Sequence, residues 1–325
     1  MITAWNRYWF GPSAYVDLAI FRCAAIGLQL IIMLYGAAPI IGPEVSVNQL
    51  VHLSNLTTYP AETWAPLYLM RFFGLIFFFE WGYRPGLEEI SLISYVTITV
   101  GVLALIGAFT NICLVIFAIG CLFLQAFSYS FGDLHHPEAV MMFALLALAI
   151  SPCGRALSLD SWLRRLRGAA QTGNLLDRKG EFAGWAIKFI QWFFVLMYIS
   201  ADFAKTVYGG ADWANGFTLQ YHMAADGLRL GNPIAVWMSQ WHYLLMFSQY
   251  VVLFFQATFV LAVIFPKTRW IYVPLGLFFH SSNWLVLGAP FPQWIVLYVV
   301  FIPWAAAFKM LQERRASGAE ARSTG

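Results

Sequence analysis

Residue types suited to chemistry gather in three short stretches of this chain. The first, YISADFAKTVYGGADWANG, runs from Tyr198 to Gly216 and closes an almost wholly apolar run. On a helix, Tyr198, Asp202 and Lys205 share one face by their i, i+4, i+7 spacing. The glycines that follow break the helix and leave Trp213 beside it. Two readings stay open for Lys205. A lysine serves as a base only where desolvation favours the neutral amine. A charged Asp202 one turn away would do the reverse, giving an ion pair whose cation snorkels to lipid headgroups.

The second stretch is FGDLHHPE, from Phe131 to Glu138. Pro137 suits the first turn of a helix, where its missing N–H costs nothing. That puts His136 at the N-cap, with His135 beside it. Two imidazoles there can orient a ligand or relay protons, or they can simply cap a helix at an interface. Adjacent histidines point in different directions, and no Glu-x-x-His spacing accompanies them, so no metal site is expected. The third stretch, FFHSSNWLVLG, carries His280 and Asn283 in the middle of an apolar run. Polar groups at such depth either line a functional site or hydrogen-bond between helices.

The elements that must position these groups are membrane helices. Hydrophobic residues make up 60% of the 325 and charged residues 11%, against about 25% charged in a soluble domain. Apolar runs of roughly 18 to 24 residues match a hydrocarbon core of about 30 Å. The expected fold is an all-α polytopic bundle of about eight crossings, with runs near 16–37, 90–108, 111–130, 138–152, 184–204, 245–265 and 271–308. The last run is expected to break near Pro290 and Pro292 into two. The 64–81 segment, with Arg71 inside it, is expected to be re-entrant. Residues 1–15 read as an interfacial segment rich in aromatics, 16–308 as the transmembrane domain, and 309–325 as a cytoplasmic tail. The first span is expected to be retained as its own insertion signal.

Charge distribution sets an orientation. Thirteen of the nineteen basic residues fall in segments that would be inside if the N-terminus is, and four fall outside. The positive-inside rule then puts both termini and the basic 153–183 loop in the cytoplasm of what reads as a bacterial inner-membrane protein. That loop reads as an inner-surface helix touching anionic lipid. Arg22 reads as a snorkelling residue at the inner end of its span. Four cysteines without a C-x-x-C pair make a disulfide framework or zinc site unexpected. The basic loops are topology determinants, so no nucleic-acid partner is expected; the partners expected are the bilayer and a lipid-soluble small molecule.

Together the three stretches resemble the horizontally transferred transmembrane (HTTM) domain, the membrane part of vitamin K-dependent γ-carboxylases and their bacterial relatives. That family has a Tyr-x-x-Ala-Gly-x-x-Lys segment followed by Asp-Trp and a glycine three residues after the Trp; this chain reads YISADFAK, then DW, then ANG. HHP is similar to an earlier helix start, and FHSSN to a late His–Asn signature. The order agrees across most of 15–308, although Asp202 stands where the family has glycine. The resemblance implies that Lys205 is the base that deprotonates a reduced quinone such as vitamin K hydroquinone, and that His136 assists. Tyr198, Asp202, His135, Trp213, His280 and Asn283 are then the expected substrate-binding residues. The family's large extramembrane domain has no counterpart in these residues, so protein carboxylation is not expected of them alone. The alternatives are a DoxX-like quinol-linked oxidoreductase subunit, and a non-catalytic lipid-binding, assembly or transport protein.

Overall fold

A computed structural model describes residues 2–35, 49–76, 83–132, 136–168 and 173–323. The chain runs through α1 (Ile2–Phe10), β1 (Ser13–Ala14), α2 (Tyr15–Tyr35), α3 (Gln49–Thr57), α4 (Tyr68–Ile76), α5 (Leu87–Ile106), α6 (Thr110–Tyr129), α7 (His136–Ala149), α8 (Leu159–Leu166), β2 (Lys179–Gly180) and α9 (Trp185–Phe203). A π-helical turn, Ala204–Tyr208, follows. Then come α10 (Gly210–Trp213), α11 (Phe217–Arg229), α12 (Pro233–Met238), α13 (His242–Thr258), α14 (Leu261–Ile264), α15 (Arg269–Leu287), α16 (Pro292–Leu297) and α17 (Trp304–Ser323). The described residues are overwhelmingly helical; β1 and β2 form a two-residue antiparallel ladder that pairs Ser13 with Gly180.

Among the described residues, four helices are long and apolar enough to cross a membrane: Tyr15–Tyr35, Leu87–Ile106, Thr110–Tyr129 and Trp185–Tyr208. A fifth span exists if Pro292–Phe301 and Trp304–Ser317, bent by 67° at their break, count as one. This corrects the expectation of about eight crossings, and the reasons are local. The 138–152 run gives an apolar helix of only Glu138–Ala149. The 245–265 run is interrupted between α13 and α14. In α15 the polar sequence His280–Ser281–Ser282–Asn283 and Pro274 dilute an otherwise sufficient length. The expected break near Pro290 and Pro292 is present, since α15 ends at Leu287 and α16 begins at Pro292. Of the 64–81 segment, α4 is nine residues long, and residues 77–82 lie outside the described residues.

The chain divides into two compact units. One comprises Met1–Leu34, Gln49–Phe189 and Ile302–Gly325; the other comprises Tyr35–Asn48 and Ile190–Phe301. In the first, α6 contacts both α5 and α7, and the fully buried Leu114, Phe117, Leu124, Phe127 and Leu145 form its core. Arg22 is fully buried in this unit. Its Nη1 donates to the Cys153 carbonyl at 2.9 Å and its Nη2 to the Leu157 carbonyl at 2.5 Å. It is therefore a staple between α2 and the loop before α8, and not the snorkelling residue its position suggested.

The second unit is built around aromatic packing. Phe194 and Tyr198 of α9 meet Phe259, Trp294 and Tyr298, with ring centroids 4.7–6.2 Å apart. Edge and offset contacts of this kind add to plain area burial. Asn232 caps α12 by accepting from the Ile234 and Ala235 N–H groups, while Pro233 takes the first helical position. The Asn232 amide also donates to the Leu285 carbonyl at 2.8 Å, tying α12 to α15.

Candidate functional site

Lys205 sits in the π-helical turn that continues α9. Such turns carry one more residue per hydrogen-bonded ring than an α-helix and recur at functional sites. The wider turn ends the i+3 register on which an Asp202–Lys205 pair depends. Among the described residues these two side chains form no ion pair. The Lys205 Nζ instead donates to Gln256 Oε1 at 2.9 Å and to the Ala201 carbonyl at 3.2 Å, and it lies 5.4 Å from the Trp213 ring centroid. Asp202 Oδ1 is buried without a hydrogen-bond partner among the described residues.

The lysine forms part of the wall of a cavity of about 550 Å³ that lies wholly within the second unit. Fourteen of its twenty-one lining residues are apolar, and Trp213, Gln249 and Asn283 place polar atoms on the wall beside Lys205. Binding cavities for small molecules commonly span about 300–1,000 Å³, with a few polar groups on apolar walls. Phe247 and Phe278 line it while remaining 65% and 71% exposed.

Three elements place these groups. After the π turn, Gly210–Trp213 forms α10, and Gly216, at φ 92°, turns the chain into α11. That φ is strained for any side chain, and a Cβ there would also press on His242 and Met246. From α13, Gln249 and Gln256 stand seven residues apart on one face. Gln256 holds Lys205; Gln249, 1% exposed, donates through Nε2 to the Trp213 carbonyl. The Gln249 Oε1 has no hydrogen-bond partner among the described residues. From α15, Leu275, Phe279, Asn283 and Val286 form the opposite wall at helical spacing. The Asn283 side chain, which lines the cavity, makes no hydrogen bond among the described residues.

Tyr198 and His280 are brought together, but behind the cavity. The Tyr198 hydroxyl lies 2.7 Å from His280 Nε2 and 2.7 Å from the Tyr298 hydroxyl. All three residues are buried. Phe255 and Phe279, which line the cavity, pack against Tyr198 and His280 respectively. Gly276 admits the Tyr298 hydroxyl, which any Cβ at that position would strike.

Of the residues singled out by sequence, Lys205, Trp213 and Asn283 therefore line one cavity, Tyr198 and His280 share a buried network next to it, and Asp202 joins neither. His136 begins α7 in the first unit, with its side chain outside the described residues, and His135 lies outside them altogether. Among the described residues no group of three or more His, Cys, Asp or Glu comes together. Gln249 and Gln256 were missed, as was His222, which also lines the cavity. The signal was present in QYVVLFFQ, two amides seven residues apart in an apolar run, which is the pattern of a polar stripe inside a membrane helix.

No family model matches the chain, and no curated protein or solved structure is similar to it.

Proposed function

We propose that the chain is an HTTM-like membrane protein that binds a quinone-like, lipid-soluble molecule in the Lys205 cavity and uses the lysine as a base on it. The observation that carries this reading is the placement of one amine, braced by Gln256 and Trp213, on the wall of an apolar cavity with exposed aromatics at its rim. A flat aromatic ring suits the apolar walls, and polar ring substituents suit Lys205, Asn283 and Gln249. Lys205, when neutral, takes a proton at Nζ from a bound hydroxyl. Gln256 keeps the amine pointed at the cavity, and the apolar walls keep water from competing for the proton. Carboxylation or another oxygen-dependent step in the manner of the γ-carboxylases belongs to the same reading, as does a bacterial inner membrane with the cavity in the outer leaflet. Both termini are cytoplasmic in it; the thirteen-to-four distribution of basic residues that suggested this assumes about eight crossings and does not carry over to the four or five candidate spans.

A non-catalytic lipid-binding role rests on the same rim of exposed phenylalanines and differs only in what Lys205 does. The test uses the purified chain in nanodiscs, with a short-chain naphthoquinone and its quinol as probes. Val252→Trp should fill the cavity and weaken binding of both at least tenfold; unchanged binding would sink the cavity reading. Lys205→Arg should keep binding within about threefold and abolish quinol turnover under oxygen, because a guanidinium stays protonated. Turnover equal to the parent protein would remove the base role and leave the lipid-binding one.

A further inference from the structure

α8, with the sequence LDSWLRRL, is built inside out. On a helical wheel Leu159, Trp162, Leu163 and Leu166 form one arc, and Asp160, Ser161, Arg164 and Arg165 form the other. A surface helix of a water-soluble domain turns its apolar arc inward. Here Asp160, Ser161 and Arg164 of the polar arc face the protein. Asp160 accepts the Phe109 N–H at 2.9 Å and both the Thr110 N–H and hydroxyl at 2.7 Å. Ser161 is buried and forms a reciprocal cap with Ser158, and Arg164 donates to the Gly154 carbonyl. The apolar arc is left outside: Leu159 is 39%, Trp162 53% and Leu166 66% exposed.

Two further observations say what covers that arc. Thr110, which Asp160 caps, is the first residue of a twenty-residue candidate span. A helix of that length is about 30 Å long, so its end stands at headgroup level, and α8 is fastened there. Phe109, the residue before it, takes a left-handed φ of 46° and leaves its ring 73% exposed. A bulky residue in that conformation is strained, and among the described residues no ring contact holds the Phe109 side chain outward. Arg165 and Arg167 are exposed at the C-terminal end of the same helix.

We infer that α8 and Phe109 form an interfacial foot that binds anionic phospholipid. Trp162, Leu159, Leu166 and Phe109 enter the boundary between headgroups and acyl chains, and Arg165 and Arg167 take the lipid phosphates. This surface belongs to the first unit and is independent of the Lys205 cavity. It also gives the inside-out arrangement a cause, since a lipid surface makes the outward apolar arc favourable.

The test places a nitroxide on Trp162→Cys, or on Leu166→Cys if the first variant folds poorly, in full-length protein carrying Cys23→Ser. The protein is reconstituted in nanodiscs of phosphatidylglycerol or of phosphatidylcholine. In phosphatidylglycerol the label should collide more often with oxygen than with a water-soluble nickel chelate. Arg165→Gln with Arg167→Gln, or a change to phosphatidylcholine, should lower that ratio at least twofold, each arginine near an anionic surface being worth roughly fivefold in binding. If the nickel chelate dominates in phosphatidylglycerol, the arc faces water and the foot does not exist. If the ratio is high but indifferent to both lipid charge and the arginines, recognition of anionic lipid is refuted.

Discussion

Among the cations within candidate spans, Arg22 in α2 and Lys205 in the π turn that continues α9 are held in opposite ways. Arg22 is fully buried, and its guanidinium ends on two backbone carbonyls more than 130 residues away in the chain. Lys205 is half-buried, braced by one side-chain amide and one local carbonyl, with the rest of its surface toward a cavity and an indole ring. A planar fork of donors suits the first task, and a single flexible ammonium the second. The difference teaches that a cation in an apolar helix is not functional by virtue of its depth. What counts is whether its donors are consumed by the fold.

The largest effect expected of this comparison is at Arg22. Arg22→Met leaves the buried Cys153 carbonyl and the part-buried Leu157 carbonyl without their donor and should cost about 2–4 kcal/mol, at about 1–3 kcal/mol for each acceptor left unsatisfied. Thermal unfolding in nanodiscs, with folded yield by gel filtration, reads it. Arg22→Lys should recover less than half of the loss, because one ammonium cannot serve both carbonyls. Full recovery by lysine would erase the distinction drawn between the two cations.

Gly276→Ala comes next. The added methyl meets the Tyr298 hydroxyl, so it should displace Tyr298 from Tyr198 and cost about 1–3 kcal/mol as overpacking. If the Tyr198–His280–Tyr298 network only supports the cavity wall, ligand affinity should fall in step with stability across Gly276→Ala and Tyr298→Phe. A variant that kept full stability and lost turnover would give the network a role in the chemistry.

At Lys205 the stability effect should be smaller. Lys205→Met leaves Gln256 Oε1 without its donor and should cost about 1–2 kcal/mol, while Lys205→Arg should cost less than about 1 kcal/mol. A loss as large as that of Arg22→Met would make Lys205 a structural residue and break the comparison.

The smallest effect is at Asp160, and it depends on pH. Partial burial works to raise its carboxyl, but the Thr110 N–H, the Thr110 hydroxyl and the Phe109 N–H outweigh that and hold it below the ordinary aspartate value of 3.8. A depressed folded pKa contributes stability that is complete above the unfolded value and is lost as pH falls through the folded one. Asp160→Asn should therefore cost about 1 kcal/mol at neutral pH and flatten the decline in unfolding temperature that the parent protein shows below about pH 4. A parallel decline in the variant would assign the acid sensitivity to another group.

The helical, membrane-embedded character was legible because composition and run length report it directly. The crossing count was not, because an apolar run says nothing of where a helix stops: α13 breaks after Thr258 and α7 ends at Ala149 while their runs continue. Lys205, Trp213 and Asn283 were legible as rare polar or amphipathic groups at the edges of apolar runs. The partners of Lys205 were not, because helical spacing alone does not show that its amine donates to Gln256 and the Ala201 carbonyl. Gln249 and Gln256 were overlooked because attention went to titratable groups. The orientation of α8 could not be read from its amphipathic pattern, which is the same whichever arc faces the protein.

The π turn has one more consequence, in residue count instead of residue type. Its wider ring exists because Ala204–Tyr208 holds one residue more than an α-helical turn would. A chain shortened by one residue after Lys205 can close into a continuous α-helix, which would rotate everything that follows, Trp213 included, by one residue relative to Lys205. Substitutions within Thr206–Tyr208 leave the count intact and are tolerable on that score. A single deletion there, however conservative the residue removed, takes the Trp213 indole away from the amine.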